Sequence, residues 1–120
     1  MFLSNRKRVD LFMKLWIDDT RPAPEGYVWV HSVDEAKWII SHYSCVIYFN
    51  DSGIRVDEIE IIDIDHDAGI YAQFGGDYIC LLDWLEKTGR NYPIRIHSAN
   101  PVGVANMRRI IQRNNWKEVF

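Results

Sequence analysis

The chain has 120 residues, 48% of them hydrophobic, and a formal net charge of −3. That length fits one domain with a real core, and the acidic balance argues against bulk binding to a nucleic-acid backbone, which calls for a basic face, while leaving room for a local cationic site that takes one phosphate. Cys45 and Cys80 stand alone and make neither a disulfide framework nor a zinc site, no apolar run reaches membrane-spanning length, and the first residues carry Arg6-Lys7-Arg8 without a signal peptide's apolar stretch, so a reducing, cytoplasmic setting is expected.

Residues 1–12 lack a clear period and read as a flexible arm ahead of a single domain over 13–120. Lys14 to Asp18 reads as a short buried strand. Two prolines and a glycine make Thr20 to Gly26 a loop. Tyr27 to Val30 is a second strand, rich in aromatic and β-branched residues. Ser32-Val33-Asp34-Glu35 then matches a capping box, in which Ser32 accepts from the Glu35 N–H and Glu35 reaches back to the Ser32 N–H. Ala36, Ile39, Ile40 and Tyr43 continue at helical spacing, which predicts a helix over 33–43. Cys45 to Phe49, the turn Asn50-Asp51-Ser52-Gly53 and Ile54 to Asp57 read as a hairpin-like insertion within 44–58.

Ile59 to Asp65 is the strongest central-strand candidate. The loop Ala68 to Phe74 leads to Gly75-Gly76, and a helix follows over 77–88, with Ile79, Leu82 and Leu85 on one stripe and Gly89 as its stop. Pro93 to His97 is a strand. Pro101 suits the first position of a helix, where its missing N–H costs nothing. Val104, Met107, Ile110 and Ile111 form that helix's buried stripe, and Trp116 to Phe120 is a last edge strand. Strands alternating with helices imply a mostly parallel sheet with right-handed crossovers.

Three of these strands run into polar clusters: Asp18-Asp19, then Asp65-His66-Asp67, then His97-Ser98-Ala99-Asn100. Parallel strands would bring all three to one sheet edge, where open α/β folds bind ligands. Several carboxylates in one cleft favour a hard cation such as Mg²⁺ or raised pKa values; the plain alternative is a solvated loop. His66 lies between two acids that can steady an imidazolium, or it is a surface histidine. His97 is an acid/base candidate, or a core histidine satisfied by a carbonyl. His31 and His42 have no such setting and read as structural. Ser98 and Asn100 precede a helix whose first N–H groups can hold an anion, or they simply cap it. Gly75-Gly76 offers a weaker site of the same kind. Arg21 can hold a phosphate or pair with its own acids. No P-loop, zinc motif or GxSxG elbow is present.

The ordered set Asp18-Asp19-x-Arg21-Pro22, Asp65-His66-Asp67, Gly76 before a helix, and His97-Ser98-x-Asn100-Pro101-x-Gly103 with Asn106-Met107 resembles the cyclic-phosphate-processing receiver-like domains, over roughly residues 14–119. The resemblance implies an α/β, three-layer, receiver-like (flavodoxin-like) sandwich with a mostly parallel central sheet. The usual first receiver helix is missing between Asp19 and Tyr27. It also implies that Asp18, Asp19, Asp65, His66 and His97 line a pocket that processes cyclic phosphates on nucleotides or RNA ends. Asp18-Asp19 looks like the receivers' Mg²⁺-binding pair, Asp63 or Asp65 falls near their phosphoacceptor, and Ser98 near their hydroxyl residue. Receivers carry a lysine at the end of their last strand, whereas Lys117 lies near its start, and they need neither His66 nor His97. Ser44 to Glu58 has no counterpart in the family pattern.

The expected function is therefore a phosphoesterase acting on cyclic phosphates. His66 and His97 would be its acid/base pair, with Asp65 and Asp67 orienting them. Arg21, Ser98, Asn100 and Gly76 would bind phosphate, and Asp18, Asp19 and Asp65 a Mg²⁺. A nucleotide or RNA end is the expected partner, and no membrane is involved. The alternatives are a phosphoacceptor signalling module and an inert nucleotide- or protein-binding module. Two imidazoles pointing into different surroundings would count against the acid/base pairing.

Overall fold

The computed structural model describes residues 12–43 and 59–120, together with the strand residues 46–47 and 55–56. The predicted arm up to residue 11, Cys45 and the turn at 50–53 lie outside the described residues. In chain order the elements are β1 (Met13–Ile17), β2 (Tyr27–Val30), α1 (Val33–Tyr43), β3 (Val46–Ile47), β4 (Arg55–Val56), β5 (Ile59–Ile64), a 3₁₀ helix (Gly69–Gln73), α2 (Ile79–Lys87), β6 (Ile94–Ile96), α3 (Pro101–Arg113) and β7 (Glu118–Val119). β3 and β4 pair antiparallel as a separate two-stranded sheet.

The main sheet has the order β2-β1-β5-β6-β7, and every neighbouring pair is parallel. With the small sheet set aside, this is the 2-1-3-4-5 order of flavodoxin-like and receiver folds, the fold class that the resemblance implies. The chain steps one way from β1 to β2 and the other way through β5, β6 and β7. The switch point therefore lies between β1 and β5.

That reversal also sorts the layers. The crossovers carrying α1, α2 and α3 all progress in one direction, so right-handedness places the three helices on one face. Val33, Ala36 and Ile40 of α1, Leu82 and Leu85 of α2, and Met107 and Ile110 of α3 join Leu15, Ile17, Ile62, Ile64 and Ile94 in one buried core. The alternate residues Trp16, Asp63 and Arg95 lie in register across three strands and face the other way. Among the described residues no helix lies on that second face. The connection 18–26 runs there, where a parallel crossover normally takes about a dozen residues or more.

Two indoles hold this short connection: Trp16 Nε1 donates to Arg21 O at 2.9 Å and Trp29 Nε1 to Asp18 O at 2.8 Å. The Ser32 cap forms as predicted, accepting from the Glu35 N–H at 3.0 Å. Glu35, however, accepts from the His31 N–H at 2.7 Å rather than from Ser32. β2 is an edge strand ending at Val30, and Glu35 satisfies the first amide beyond it. α2 and α3 both end in paired reverse bonds, Gly89 N to Glu86 O with Arg90 N to Leu85 O, and Asn115 N to Gln112 O with Trp116 N to Ile111 O. These are Schellman motifs, with Gly89 and Asn115 at positive φ. The stretch predicted as a loop at 68–74 contains the 3₁₀ helix.

Candidate active site

Three backbone bonds beyond the strands align the polar clusters. Asp18 N donates to Val30 O, Asp65 N to Ile17 O, and His97 N to Ile64 O, at 3.1, 2.9 and 2.9 Å. Asp18, Asp65 and His97 thus share one row at the carboxyl edge, across the switch point.

His97 is the hub. Its Nδ1 lies 2.7 Å from Asp63 Oδ1 and its Nε2 2.9 Å from Asp18 Oδ2. Both ring nitrogens thus face carboxylate oxygens, which accept hydrogen bonds. The imidazole lies flat against Trp16, with centroids 3.7 Å apart and planes 4° from parallel. Asp18 and Asp63 are 0% and 2% exposed, and buried carboxylates need such partners. Arg95 completes the set, its Nη1 3.1 Å from Asp63 Oδ2. Asp63 therefore has both oxygens occupied.

Asp18 Oδ1 accepts from the Thr20 and Arg21 N–H groups at 3.0 and 2.9 Å. Burial pushes its carboxyl up, but the donors of Arg21, Thr20 and His97 outweigh this and hold it below the ordinary value. The unfolded chain then binds a proton that the folded one refuses, so stability rises with pH. The contribution is whole above the unfolded value near 3.9 and is lost as pH falls through the folded value. Asp19 runs the other way: burial and the charges of Asp18 and Asp65 push it up. Urea unfolding between pH 6 and 3 is expected to show a loss of stability below about pH 4 that is reduced in Asp18→Asn. An unchanged slope in that variant would contradict this role.

One oxygen each from Asp18, Asp19 and Asp65 lie within 4.8 Å of one another. An all-oxygen donor set, with Asp19 pushed up by its neighbours, suits a hard cation such as Mg²⁺. Arg21 already supplies positive charge here, with Nε 3.4 Å from Asp18 Oδ2 and Nη2 3.7 Å from Asp65 Oδ2. The first residue of the 3₁₀ helix presses on this cluster. Gly69 has φ +55°, and a Cβ there would collide with Asp19 Oδ2, so both backbone and space call for glycine.

His66 has different surroundings. Its Nδ1 lies 2.7 Å from Asp67 Oδ1, and its backbone N–H donates to Asp65 Oδ1 at 2.7 Å. Asn100 Nδ2 donates to both Asp67 oxygens at 3.3 and 3.4 Å, while Asn100 Oδ1 caps α3 by accepting from Gly103 N at 3.0 Å. Among the described residues nothing hydrogen-bonds His66 Nε2. The His66 bond, set against a small burial effect and joined by Asn100, holds the Asp67 carboxyl below its ordinary value. Gly103 leaves room for the ring: a Cβ there would sit 2.6 Å from His66 Cδ2. Gly103→Ala would ordinarily stabilise a helix by about 0.8–1.0 kcal/mol. Here the gain is expected to vanish, and an unfolding midpoint higher than the wild type's would contradict the packing described.

Ser98 Oγ accepts from Asn100 N at 3.2 Å, a local turn that sets up the cap. The Gly76 amide donates to Ala72 O at 2.8 Å, so it is committed within the chain and not directed at an anion. The site thus gathers Asp18, Asp19, Arg21, Asp65, His66, Asp67, His97 and Asn100 at one edge. Sequence reasoning missed Trp16, Trp29 and Arg95, whose roles depend on cross-strand register. It also set His31 aside, although His31 follows β2 at the same edge.

A 2-1-3-4-5 parallel sheet with clustered acids at its switch point defines a receiver-like α/β domain. The chain belongs to the cyclic-phosphate processing receiver domain family, whose sequence profile matches residues 13–113. No curated protein and no solved structure matches it. Among the described residues no helix is long and apolar enough to cross a membrane.

Proposed function

We propose that the domain hydrolyses a cyclic phosphate carried by a nucleotide or an RNA end, with His66 as the base. The observation that supports this most is the Asn100–Asp67–His66 chain, which fixes the imidazole through Nδ1, while no described residue hydrogen-bonds Nε2. Asp67 holds the tautomer whose Nε2 lone pair accepts a proton. Water gives that proton to Nε2 and its oxygen to phosphorus. One ring P–O bond breaks, and the freed alkoxide takes a proton from solvent, leaving a phosphomonoester and a hydroxyl. Arg21, half-exposed, and the start of α3 would hold the phosphoryl oxygens. A Mg²⁺ held by Asp18, Asp19 and Asp65 would neutralise charge on the phosphate. His97, with both nitrogens engaged, is a positioning residue in this account: it sets Asp18 beside Asp65.

Aspartyl phosphorylation has less support, because Asp63 is buried and doubly bonded and Asp65 Oδ1 already accepts an N–H. Incubation with 2′,3′-cyclic nucleotides and with RNA bearing a 2′,3′-cyclic phosphate end tests the proposal. Ring opening that His66→Ala leaves undiminished would overturn the assignment of the base.

A further inference from the structure

On the β2 side of the acid cluster the side chains are aromatic. Trp29 and His31 have ring centroids 4.6 Å apart at 31°, and His31 and Tyr71 5.2 Å apart at 41°. All three are partly exposed. This ladder is tied to the acids at both ends. Trp29 Nε1 donates to Asp18 O, and Tyr71 rides on the 3₁₀ helix whose first residue, Gly69, abuts the Asp19 carboxylate. The buried Tyr78 braces it from below, its hydroxyl donating to His31 O at 2.7 Å. The same 3₁₀ turn presents Ile70 at 76% exposure, and Phe74 follows it at 47%. Tyr71 packs with one side against the core, whereas Ile70 and Phe74 stand outside it.

We infer that the Trp29–His31–Tyr71 ladder is a nucleobase subsite: it takes the base of the nucleotide whose phosphate lies in the acid cluster. The inference rests on the phosphate reading above and names its substrate class. Strands are spaced about 4.8 Å apart, so β2 and β5 stand about 10 Å apart at this edge, a span that one nucleotide bridges. A planar base is the occupant that an aromatic platform favours, because every base offers a π-face and stacking tolerates any sequence. A bare sugar phosphate gains nothing from the ladder.

The test is a ¹H–¹⁵N titration of the full chain with adenosine 3′-phosphate, with adenosine, and with inorganic phosphate; none of the three is consumed by ring opening. The nucleotide is expected to shift the Trp29 indole N–H and the Tyr71 amide, adenosine to shift them more weakly, and phosphate to leave them in place. Tyr71→Leu keeps the apolar bulk and removes the π-face. It is expected to weaken nucleotide binding about tenfold, within the range that base stacking supplies, while Tyr71→Phe binds like the wild type. Unmoved Trp29 and Tyr71 signals, or a Tyr71→Leu affinity within twofold of the wild type, would overturn the subsite. Shifts with adenosine in a protein that opens no cyclic phosphate would uphold the subsite and sink the catalytic reading alone.

Discussion

Replacing His97 with alanine is expected to cost about 3–5 kcal/mol of folding stability, the loss seen when one partner of a buried charged pair is removed. The variant strips a donor from Asp18 Oδ2 and another from Asp63 Oδ1, both on side chains sealed from solvent. Arg21 still reaches Asp18 Oδ2 and Arg95 still reaches Asp63 Oδ2, both from half-exposed positions. The flat Trp16–His97 contact is lost as well. His97→Gln supplies N–H donors from one end only, so it should recover part of the loss and no more. Equilibrium urea unfolding near neutral pH measures both. A His97→Ala variant within about 1 kcal/mol of the wild type, the scale of an ordinary surface change, would show that the two carboxylates do not depend on the ring.

The second large effect concerns turnover. His66→Ala is expected to lower the rate of cyclic-phosphate opening by about 10²–10⁴-fold, the span of a positioned general base, with little change in stability beyond local packing against Gly103. Asp67→Asn should act in the same direction but less strongly, since Asn100 still braces position 67 while the carboxylate that fixes the tautomer is gone. The two histidines thus separate by assay. The His97 variant should register first in unfolding, whereas the His66 variant should register in rate.

Much of the scaffold was legible in the chain. The apolar runs gave the strands, Ser32 and Pro101 marked two helix starts, and Gly89 marked a stop, because each reports a local backbone need. The polar strand ends likewise marked the edge where the acids gather. What a single sequence leaves open is which neighbour a side chain finds across the sheet. His97 and Asp63 are far apart in the chain and meet only through the β5–β6 register, so the ring's double engagement could not be read from either position. The missing first helix was legible as a proline-rich gap. Its replacement by two indole bonds was not, since Trp16 and Trp29 read simply as strand residues. The 3₁₀ helix escaped because so short a turn carries no helical period. The His-Ser-x-Asn-Pro-x-Gly run was noticed as a motif. Its helix-start logic, Asn100 as cap and Pro101 in the first position, shows in the chain; that Gly103 clears space for the imidazole shows only in the fold.

The claim that His66 drives cyclic-phosphate opening is tested most directly by ³¹P NMR of adenosine 2′,3′-cyclic phosphate incubated with the wild-type chain and with His66→Ala, each with and without Mg²⁺. The wild type is expected to convert the cyclic resonance into that of a phosphomonoester, and the variant to leave it standing. A cyclic resonance that persists with the wild type in both conditions, or that decays equally fast with the variant, would contradict it.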